Sequence, residues 1–478
     1  MQNFWDFDAW GVVNLMAMLL VALLTANLLK KRFKFLKESM IPTSVLAGLI
    51  LLIISNLWTL VGGKQLFETE FFSNRGLPGI DILEIITYHA LALGFIAQTL
   101  IESPRKFTKK RTIEVFNTGV TTVATYLLQG VLGLGITILI SLLIFPELFA
   151  ASGLLLPFGF GQGTGQALNY GSIYEADHGF AGGKSFGLTI AALGFLSASI
   201  GGVIHLNILK RRGYKFREKT VTLTSPDEVE GSDEIPMNGS IDKLTVQIAF
   251  IAVAYLITYG IMFGLGSALS GMKSVIYGFN FLFGVLSALL VKFAMKFLRK
   301  RGIVKKQYTN SFLLTHISNL FFDIMVVAGI AAIRLSAIAE YWHILLVLGA
   351  VGLVSTYLYN RFVARKLFPE YAEEQFLVMY GMLTGTASTG VMLLREVDPR
   401  YETEASDNLV YQNLPAIVFG FPLMLLATLA PTEPYLTWFI LLGFFAVMNL
   451  ILWRSFIFGR RGKKTEGGED GATKSETE

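Results

Sequence analysis

The chain of 478 residues is 53% hydrophobic and only 16% charged, and its mean hydropathy is +0.56. A hydrocarbon core of roughly 30 Å needs about 20 apolar residues per helix. The chain supplies that length many times over, so its composition predicts a polytopic membrane protein. The net charge of +5 does not indicate a nucleic-acid partner, because the basic residues follow membrane topology. Since the sequence has no cysteine, disulfides and thiolate metal sites are excluded.

Apolar runs predict eleven spanning helices, five in each half of the chain and a last one that stands alone. The first run is too long for the core of a signal peptide, and its basic flank, Lys30–Arg32, lies on the wrong side for one. The predicted spans are 10–29, 40–61, 80–101, 113–145 and 179–208, then 244–268, 274–298, 311–335, 341–363 and 409–430, and finally 435–458.

A glycine-rich segment lies between the fourth and fifth spans of each half, at residues 150–176 and 371–397. In the first segment glycine recurs at every second position from Gly159 to Gly165. Glycine that serves helix packing recurs at spacing four on one face, so spacing two fits no single helix. That packing role stays open as an alternative. Interrupted segments at equivalent positions of two membrane-embedded halves indicate a transporter binding site.

The distribution of Lys and Arg predicts the topology. We place the amino terminus outside and let each glycine-rich segment re-enter on its own side of the membrane. All but six of the 40 Lys and Arg then lie on the cytoplasmic side, as the positive-inside bias requires. The six exceptions are Lys64, Arg75, Lys184, Lys273 and Arg334, which face out, and Lys292, which lies within a span. Since a full crossing by either segment would move the later clusters outside, the charges favour two re-entrant hairpins and a cytoplasmic carboxyl terminus.

This topology makes the two halves inverted. The expected fold is an all-α polytopic membrane protein with two inverted repeats of five transmembrane helices plus a re-entrant hairpin each, with an extra C-terminal helix. Residues 44–50, Ser-Val-Leu-Ala-Gly-Leu-Ile, weakly echo residues 280–286, Asn-Phe-Leu-Phe-Gly-Val-Leu. The predicted divisions are a first repeat at 1–208, a cytoplasmic linker at 209–243, a second repeat at 244–430, the extra helix at 431–459 and a disordered tail at 460–478.

The two hairpin tips suggest what the protein binds. Non-helical backbone survives at membrane depth only where it is buried in protein or lines a watery cavity. The half-helix after each tip would point free N–H groups and a partial positive charge at that cavity, which suits a carboxylate. Carbonyl groups freed before the tip suit Na+. The residues predicted to bind substrate are Gly161, Gln162, Gly163, Thr164 and Gly165 in the first hairpin and Thr384, Gly385, Thr386, Ser388 and Thr389 in the second.

One acidic residue falls near the middle of the eighth span. Asp323 follows Asn319 by one helical turn, and a charge at the bilayer centre costs about 2.5–3.5 kcal/mol on insertion scales. We therefore expect Asn319 and Asp323 to form or orient a site for the coupling ion, with an interhelical hydrogen bond or ion pair as the alternative. Arg395 could attract an anionic substrate, or could reach the interface beside Glu396.

Motifs for enzymatic chemistry are missing from the sequence. It has no Walker-type nucleotide loop and no HExxH, and its five histidines form no zinc pattern. We therefore expect neither catalytic residues nor a cofactor, apart from Na+ as a coupling ion.

The pattern resembles the bacterial sodium/glutamate symporter family. The family's second span opens with Ile-Pro-x-x-Val-x-x-Gly-Leu, and residues 41–49 read Ile-Pro-Thr-Ser-Val-Leu-Ala-Gly-Leu. Its first hairpin carries Gly-His-Gly-Thr-Gly; here residues 161–165 read Gly-Gln-Gly-Thr-Gly, with Gln162 in place of histidine. Its second hairpin carries Gly-Ala-Thr-Pro-Thr; here residues 385–389 read Gly-Thr-Ala-Ser-Thr, so that only Gly385 and Thr389 match.

The resemblance covers about residues 10–430 in topology, although the identical motifs are short. It implies Na+-coupled import of L-glutamate across the cytoplasmic (inner) membrane, a homodimer, and elevator-like movement of the domain that carries the hairpins. The departures in the second hairpin leave the substrate open. The alternatives are a symporter of another carboxylate (citrate, malate or aspartate), a cation/proton exchanger, a membrane-embedded enzyme, or a sensor that binds without transporting.

Overall fold

The computed structural model describes residues 4–102, 108–214, 234, 241–399 and 402–458. Its longer helices are α1 (Phe7–Arg32), α2 (Thr43–Gly62), α3 (Gly79–Leu100), α4 (Lys109–Leu143), α5 (Thr164–His178), α6 (Gly183–Arg211), α7 (Lys243–Ala268), α8 (Asn280–Lys300), α9 (Ser311–Ala331), α10 (Trp342–Leu367), α11 (Ala372–Thr384), α12 (Ala387–Leu394), α13 (Ala405–Tyr411), α14 (Asn413–Leu429) and α15 (Pro434–Leu452). These described residues contain no β-strand.

Ten helices of the described chain are long and apolar enough to cross a membrane. They confirm the predicted class, an all-α polytopic membrane protein. Most of the predicted linker and all of the predicted tail at 460–478 lie outside the described residues.

The predicted tenth span, 409–430, is not one straight helix. Helix α13 ends at Tyr411, and its axis is bent by 51° from that of residues Pro415–Leu429. Proline has no N–H, so Pro415 cannot bond to the carbonyl of Tyr411 four residues before it. The prediction of an uninterrupted helix was therefore wrong at this position. The bent pair brings the number of possible spans to eleven.

Helices α3 and α9 pack against each other along their lengths, and each lies against a glycine of another helix. A Cβ on Gly48 of α2 would lie 2.7 Å from the Cβ of Ile330 on α9. A Cβ on Gly284 of α8 would lie 3.1 Å from Cγ1 of Ile96 on α3. The two contacts involve the glycines of the two similar segments, 44–50 and 280–286.

Both glycine-rich segments fold as pairs of helical arms that turn back on themselves. In the first, a π-helical turn, Pro157–Gly161, precedes α5, and the ring of Phe158 stacks on that of Tyr170 with centroids 3.9 Å apart. In the second, α11 and α12 lie so close that a Cβ on Gly381 would be 2.8 Å from the Cα of Gly390. We call these the first and second hairpins.

The two hairpins lie on a row of glycines along α6. Gly187, Gly194 and Gly201 recur every seven residues and so share one helix face. A Cβ on Gly187 would lie 2.4 Å from the carbonyl oxygen of Ala167 in the first hairpin. A Cβ on Gly201 would lie 2.1 Å from the hydroxyl of Tyr380 in the second hairpin. The absence of side chains on this face lets both hairpins pack directly on α6.

Candidate functional site

The tips of the two hairpins lie next to each other. Gly163 forms the first tip with φ +81° and ψ −170°, a backbone conformation that is essentially restricted to glycine. A Cβ on Gly163 would lie 3.7 Å from both the carbonyl oxygen of Gly385 and Cγ2 of Thr386, at the second tip. Phe195 of α6 lies beside both tips. The segments that the sequence places far apart therefore meet at one point.

A cavity of about 120 Å³ lies beside the two tips. Since a single water needs roughly 10–15 Å³ of such space, the cavity holds several waters or a small organic ligand. The hairpins contribute to its lining Gly161, Gln162, Gln166, Met382, Thr386, Ala387 and Ser388. The remaining lining includes Leu91, Phe95 and Gln98 of α3, Tyr126 of α4, Phe281 of α8, Phe322 and Met325 of α9, and Gln412, Asn413 and Met424 near or in α14.

Two helix N-termini converge at this cavity. Helix α5 begins directly after Gly163, which has no side chain to cap the first N–H groups. Helix α12 begins after Thr386, whose hydroxyl accepts a bond from the N–H of Thr389 at 3.4 Å. Each N-terminus carries a partial positive charge of about half a unit. The convergence favours an anion at a place where the described lining offers no cationic side chain.

Gln166 is one of the polar lining residues, with Gln98, Gln412 and Asn413, that the sequence did not predict. Its side chain is only 1% exposed, yet neither its amide nitrogen nor its amide oxygen has a hydrogen-bond partner among the described residues. Leaving a buried polar group unpaired costs about 1–3 kcal/mol, so such groups call for an explanation. Its position in the first turn after a glycine-rich tip is the sequence signal that could have identified it.

Helix α4 connects the two hairpins through buried polar side chains. The amide nitrogen of Gln129 donates to the hydroxyl of Thr356 at 2.8 Å and to the carbonyl of Leu383, in the second hairpin, at 3.0 Å. The hydroxyl of Tyr126 donates to the carbonyl of Gly161, in the first hairpin, at 3.1 Å. The buried amide oxygen of Gln129 has no partner within the described part of the chain. Sequence analysis did not single out either residue.

The structure brings some of the predicted binding residues to the cavity and buries others in packing. Gly161, Gln162, Thr386 and Ser388 line the cavity. Among the others, Gly163 and Gly385 form the adjacent tips.

The remaining predicted residues point elsewhere. The hydroxyl of Thr164 donates to the carbonyl of Met325 at 3.3 Å, and that of Thr384 donates to a carbonyl of its own helix. Gly165 packs against α3 and α9, and the hydroxyl of Thr389 lies 3.3 Å from that of Thr386. These four residues stabilise the tips through packing and hydrogen bonds, and they do not line the cavity.

The two residues predicted to hold the coupling ion do not line the cavity. Asn319 is exposed on the surface of α9. Asp323 is partly buried and bonds to the hydroxyl of Ser44 on α2. The structure therefore does not place either of them with the hairpin tips.

An ion-pair network lies near the start of α3, away from the cavity. The guanidinium of Arg334 contacts Asp81 and lies 2.7 Å from Oε1 of Glu84, whose Oε2 lies 2.9 Å from Nζ of Lys184. Burial alone would lower the pKa of Arg334, but the two carboxylates outweigh burial and raise it. The network ties α3 to α6 and to the segment after α9. Leu91, where the cavity begins, lies about 10 Å along α3 from Glu84.

No family model matches the chain, and a search of curated proteins found no match.

Proposed function

We propose that the chain is a Na+-coupled secondary transporter that imports a small carboxylate across the cytoplasmic membrane. The observation that carries this proposal is that the tips of the two hairpins lie side by side next to a cavity. L-glutamate is the substrate that the family resemblance implies, and it is the first substrate to test.

Inverted repeats are part of the proposal. In chain order α2 and α3 of the first half correspond to α8 and α9 of the second. The contact of Gly48 with Ile330 joins α2 to α9, and that of Gly284 with Ile96 joins α8 to α3. Exchanging the two halves converts one contact into the other, as a pseudo-two-fold axis would require. This pairing supports a two-fold relation between the halves, and the charge pattern predicts that the two repeats are inverted.

The tips offer partners for both an anion and Na+. The N-termini of α5 and α12 suit the carboxylate, with the unpaired amide of Gln166 as a donor to it. The hydroxyls of Thr386 and Thr389, 3.3 Å apart, the carbonyl of Gly385 and the unpaired amide oxygen of Gln129 are neutral oxygen ligands of the kind that hard cations prefer.

The position of the cavity supports an inward-facing arrangement. It reaches Gln98, near the end of α3 that the charge pattern assigns to the cytoplasm, whereas the Arg334 network joins helices at the opposite end. Alternating access would move the hairpins and α6 against the remaining helices, in an elevator-like manner. With two or more Na+ per monoanion, each net positive charge imported gains about 2.3 kcal/mol per 100 mV.

Uptake into proteoliposomes tests the proposal. The purified protein is reconstituted, an inward Na+ gradient is imposed, and labelled L-glutamate is followed with K+ in place of Na+ as the control. We expect accumulation above the external concentration only with Na+. If glutamate is not carried but citrate, malate or aspartate is, the substrate is wrong and the class stands. If no carboxylate shows Na+-dependent uptake, the class itself is refuted.

A further inference from the structure

A second pocket lies at the end of α1, and it shares no lining residue with the cavity at the hairpin tips. Its volume is about 1030 Å³. The end of α1, the short helix Lys34–Glu38 and the last turns of α6 enclose it. Lys30 donates to the carbonyl of Ile41 at 2.7 Å, and Ser199 of α6 donates to that of Met40 at 3.2 Å. These bonds connect the segment between α1 and α2 to both helices.

Basic side chains dominate the lining of this pocket. Its five basic residues are Lys31, Arg32, Lys34, Lys37 and Lys210, and its two acidic residues are Glu38 and Glu396. Lys34 and Glu38 pair with each other at 3.7 Å. The other four basic residues form no ion pair with a carboxylate in the described part of the chain. The pocket therefore carries positive charge that the carboxylates in its lining do not balance.

The charge alone does not assign a ligand, because the positive-inside bias places basic residues at the cytoplasmic ends of spanning helices anyway. What distinguishes this pocket is that the basic residues line a concave surface shared by α1 and α6. Basic pockets between transmembrane helices on the cytoplasmic side are sites where anionic lipid headgroups bind.

Apolar surface leads into the pocket along both helices. On α1, Leu24 and Leu28 are each 64% exposed. Arg32 follows Leu28 at the same spacing of four, so the three residues share one helix face. On α6, Ile204 is 51% exposed, and Asn207, which lines the pocket, follows it by three residues. On each helix, one face is apolar within the membrane and reaches the pocket at its end.

A phospholipid with a net negative charge fits both features. Its phosphate accepts charge-assisted hydrogen bonds from Lys and Arg, and a guanidinium can hold a phosphate through two parallel bonds. Its acyl chains lie on the exposed apolar faces. A zwitterionic phospholipid would add a cation to a pocket that is already positive, and a soluble phosphate ester would leave the apolar faces unused.

We propose that this pocket binds the headgroup of an anionic phospholipid such as phosphatidylglycerol, whose acyl chains lie on the exposed faces of α1 and α6. The proposal requires only the membrane-spanning fold, so it does not depend on the transport activity proposed above.

Native mass spectrometry of the purified full-length protein tests the proposal. Phosphatidylglycerol and phosphatidylcholine with identical acyl chains are added in equal amounts to one detergent sample, and the lipids bound to the folded protein are counted. We expect phosphatidylglycerol to be bound at least about fivefold more often, since several basic residues face one headgroup. Equal binding of the two lipids overturns the proposal.

A charge-removing variant tests the position of the site. Arg32→Gln, Lys37→Gln and Lys210→Gln are combined, which takes one basic residue from each segment that encloses the pocket. Lys31 and Arg211 remain, so the ends of α1 and α6 stay basic. We expect the preference for phosphatidylglycerol to fall to less than twofold. The preference is a ratio within one sample, so a lower yield of folded protein does not change it.

The matched control combines Lys300→Gln, Arg301→Gln and Lys305→Gln. These three exposed residues lie at and after the end of α8 and do not line the pocket, so the preference should remain as in the wild type. A preference that survives in the pocket variant, or that the control loses to the same extent, places the lipid elsewhere and overturns the proposal.

The soluble headgroup glycerophosphoglycerol separates a lipid from a free phosphate ester. We expect phosphatidylglycerol to stay bound when the soluble headgroup is added at equal concentration, because only the lipid also contacts the apolar faces. Displacement of the lipid under these conditions would make the pocket a site for a soluble phosphate ester, and the proposal would be wrong.

Discussion

Gln166 lines the cavity with both atoms of its side-chain amide unpaired among the described residues. Its amide is buried without a partner in the described chain, so Gln166→Leu removes no hydrogen bond within the protein. A hydrogen bond to a charged ligand is worth about 1.5–3 kcal/mol, so we expect KM for the carboxylate to rise roughly tenfold to a hundredfold. The melting temperature should stay the same or increase. Uptake kinetics and thermal unfolding in detergent measure the two effects.

Gln375→Leu is the matched control for Gln166→Leu. Gln375 is also fully buried, but its amide donates to Thr118 and accepts from Asn408, each at 3.2 Å. Its replacement leaves those partners unsatisfied, so we expect stability to fall by about 1–3 kcal/mol while KM of the folded fraction stays the same. Equal KM values for wild type and Gln166→Leu would show that the amide does not contact substrate.

Gly163 tests whether the shape of the first tip matters for transport. Its φ is +81° and its ψ is −170°. A residue with a side chain would adopt this conformation at a cost of order 1–3 kcal/mol, so Gly163→Ala should distort the tip. We expect the rate of Na+-driven uptake to fall at least tenfold. Gly179→Ala is the control, because Gly179 lies in the ordinary left-handed region with no described atom within 4 Å of an added Cβ. Similar rates for the two variants would contradict a special role for the first tip.

At the scale of elements, helix α6 positions both hairpins. A Cβ on Gly194 would lie 2.6 Å from the carbonyl oxygen of Thr384 and 3.2 Å from the Cα of Phe160. Both neighbours are backbone atoms, so Gly194→Ala must push the hairpins away from α6 and from each other. We expect uptake to fall at least tenfold even though the substitution adds only a methyl group.

Gly260→Ala on α7 provides the comparison for Gly194→Ala. No described atom lies within 4 Å of an added Cβ there, and alanine favours a helix over glycine by about 0.8–1.0 kcal/mol. Uptake should be unchanged and thermal stability equal or higher. Normal uptake by Gly194→Ala would mean that the hairpins do not depend on this face of α6.

The sequence predicted helices better than it predicted the cavity. Ten long helices follow from apolar length alone, because lipid demands about 20 apolar residues per span. The break at Pro415 was missed because the apolar run continues through it. Gln166 and Gln129 were missed because an amide inside an apolar stretch does not reveal which way it faces. Asp323 was assigned to the ion site from its charge and depth, whereas in the fold it faces Ser44.

The molecule as a whole has a glycine-rich hairpin in each half, and in the topology that we propose the two hairpins approach each other from opposite faces of the membrane. Gly163 and Gly385 lie next to each other, although more than 200 positions separate them in the sequence. Two hairpins entering from the same face would place the later basic clusters outside, against the positive-inside bias. The charge distribution predicts this topology, and the closeness of the tips is compatible with it.

Cysteine labelling tests that topology, because the native chain has no cysteine to mask. Single substitutions are made at exposed residues before and after each hairpin: Glu147 and Asp177 for the first, Glu370 and Glu402 for the second. A membrane-impermeant maleimide added to intact right-side-out cells should label Glu147→Cys and Asp177→Cys. It should label Glu370→Cys and Glu402→Cys only after the membrane is opened, with Lys64→Cys and Lys34→Cys as outside and inside references.

Because a re-entrant segment returns to the face it left, the two ends of each hairpin must behave alike. Labelling of one end but not the other would mean that the segment crosses the membrane, and the opposed approach of the two tips would then be wrong.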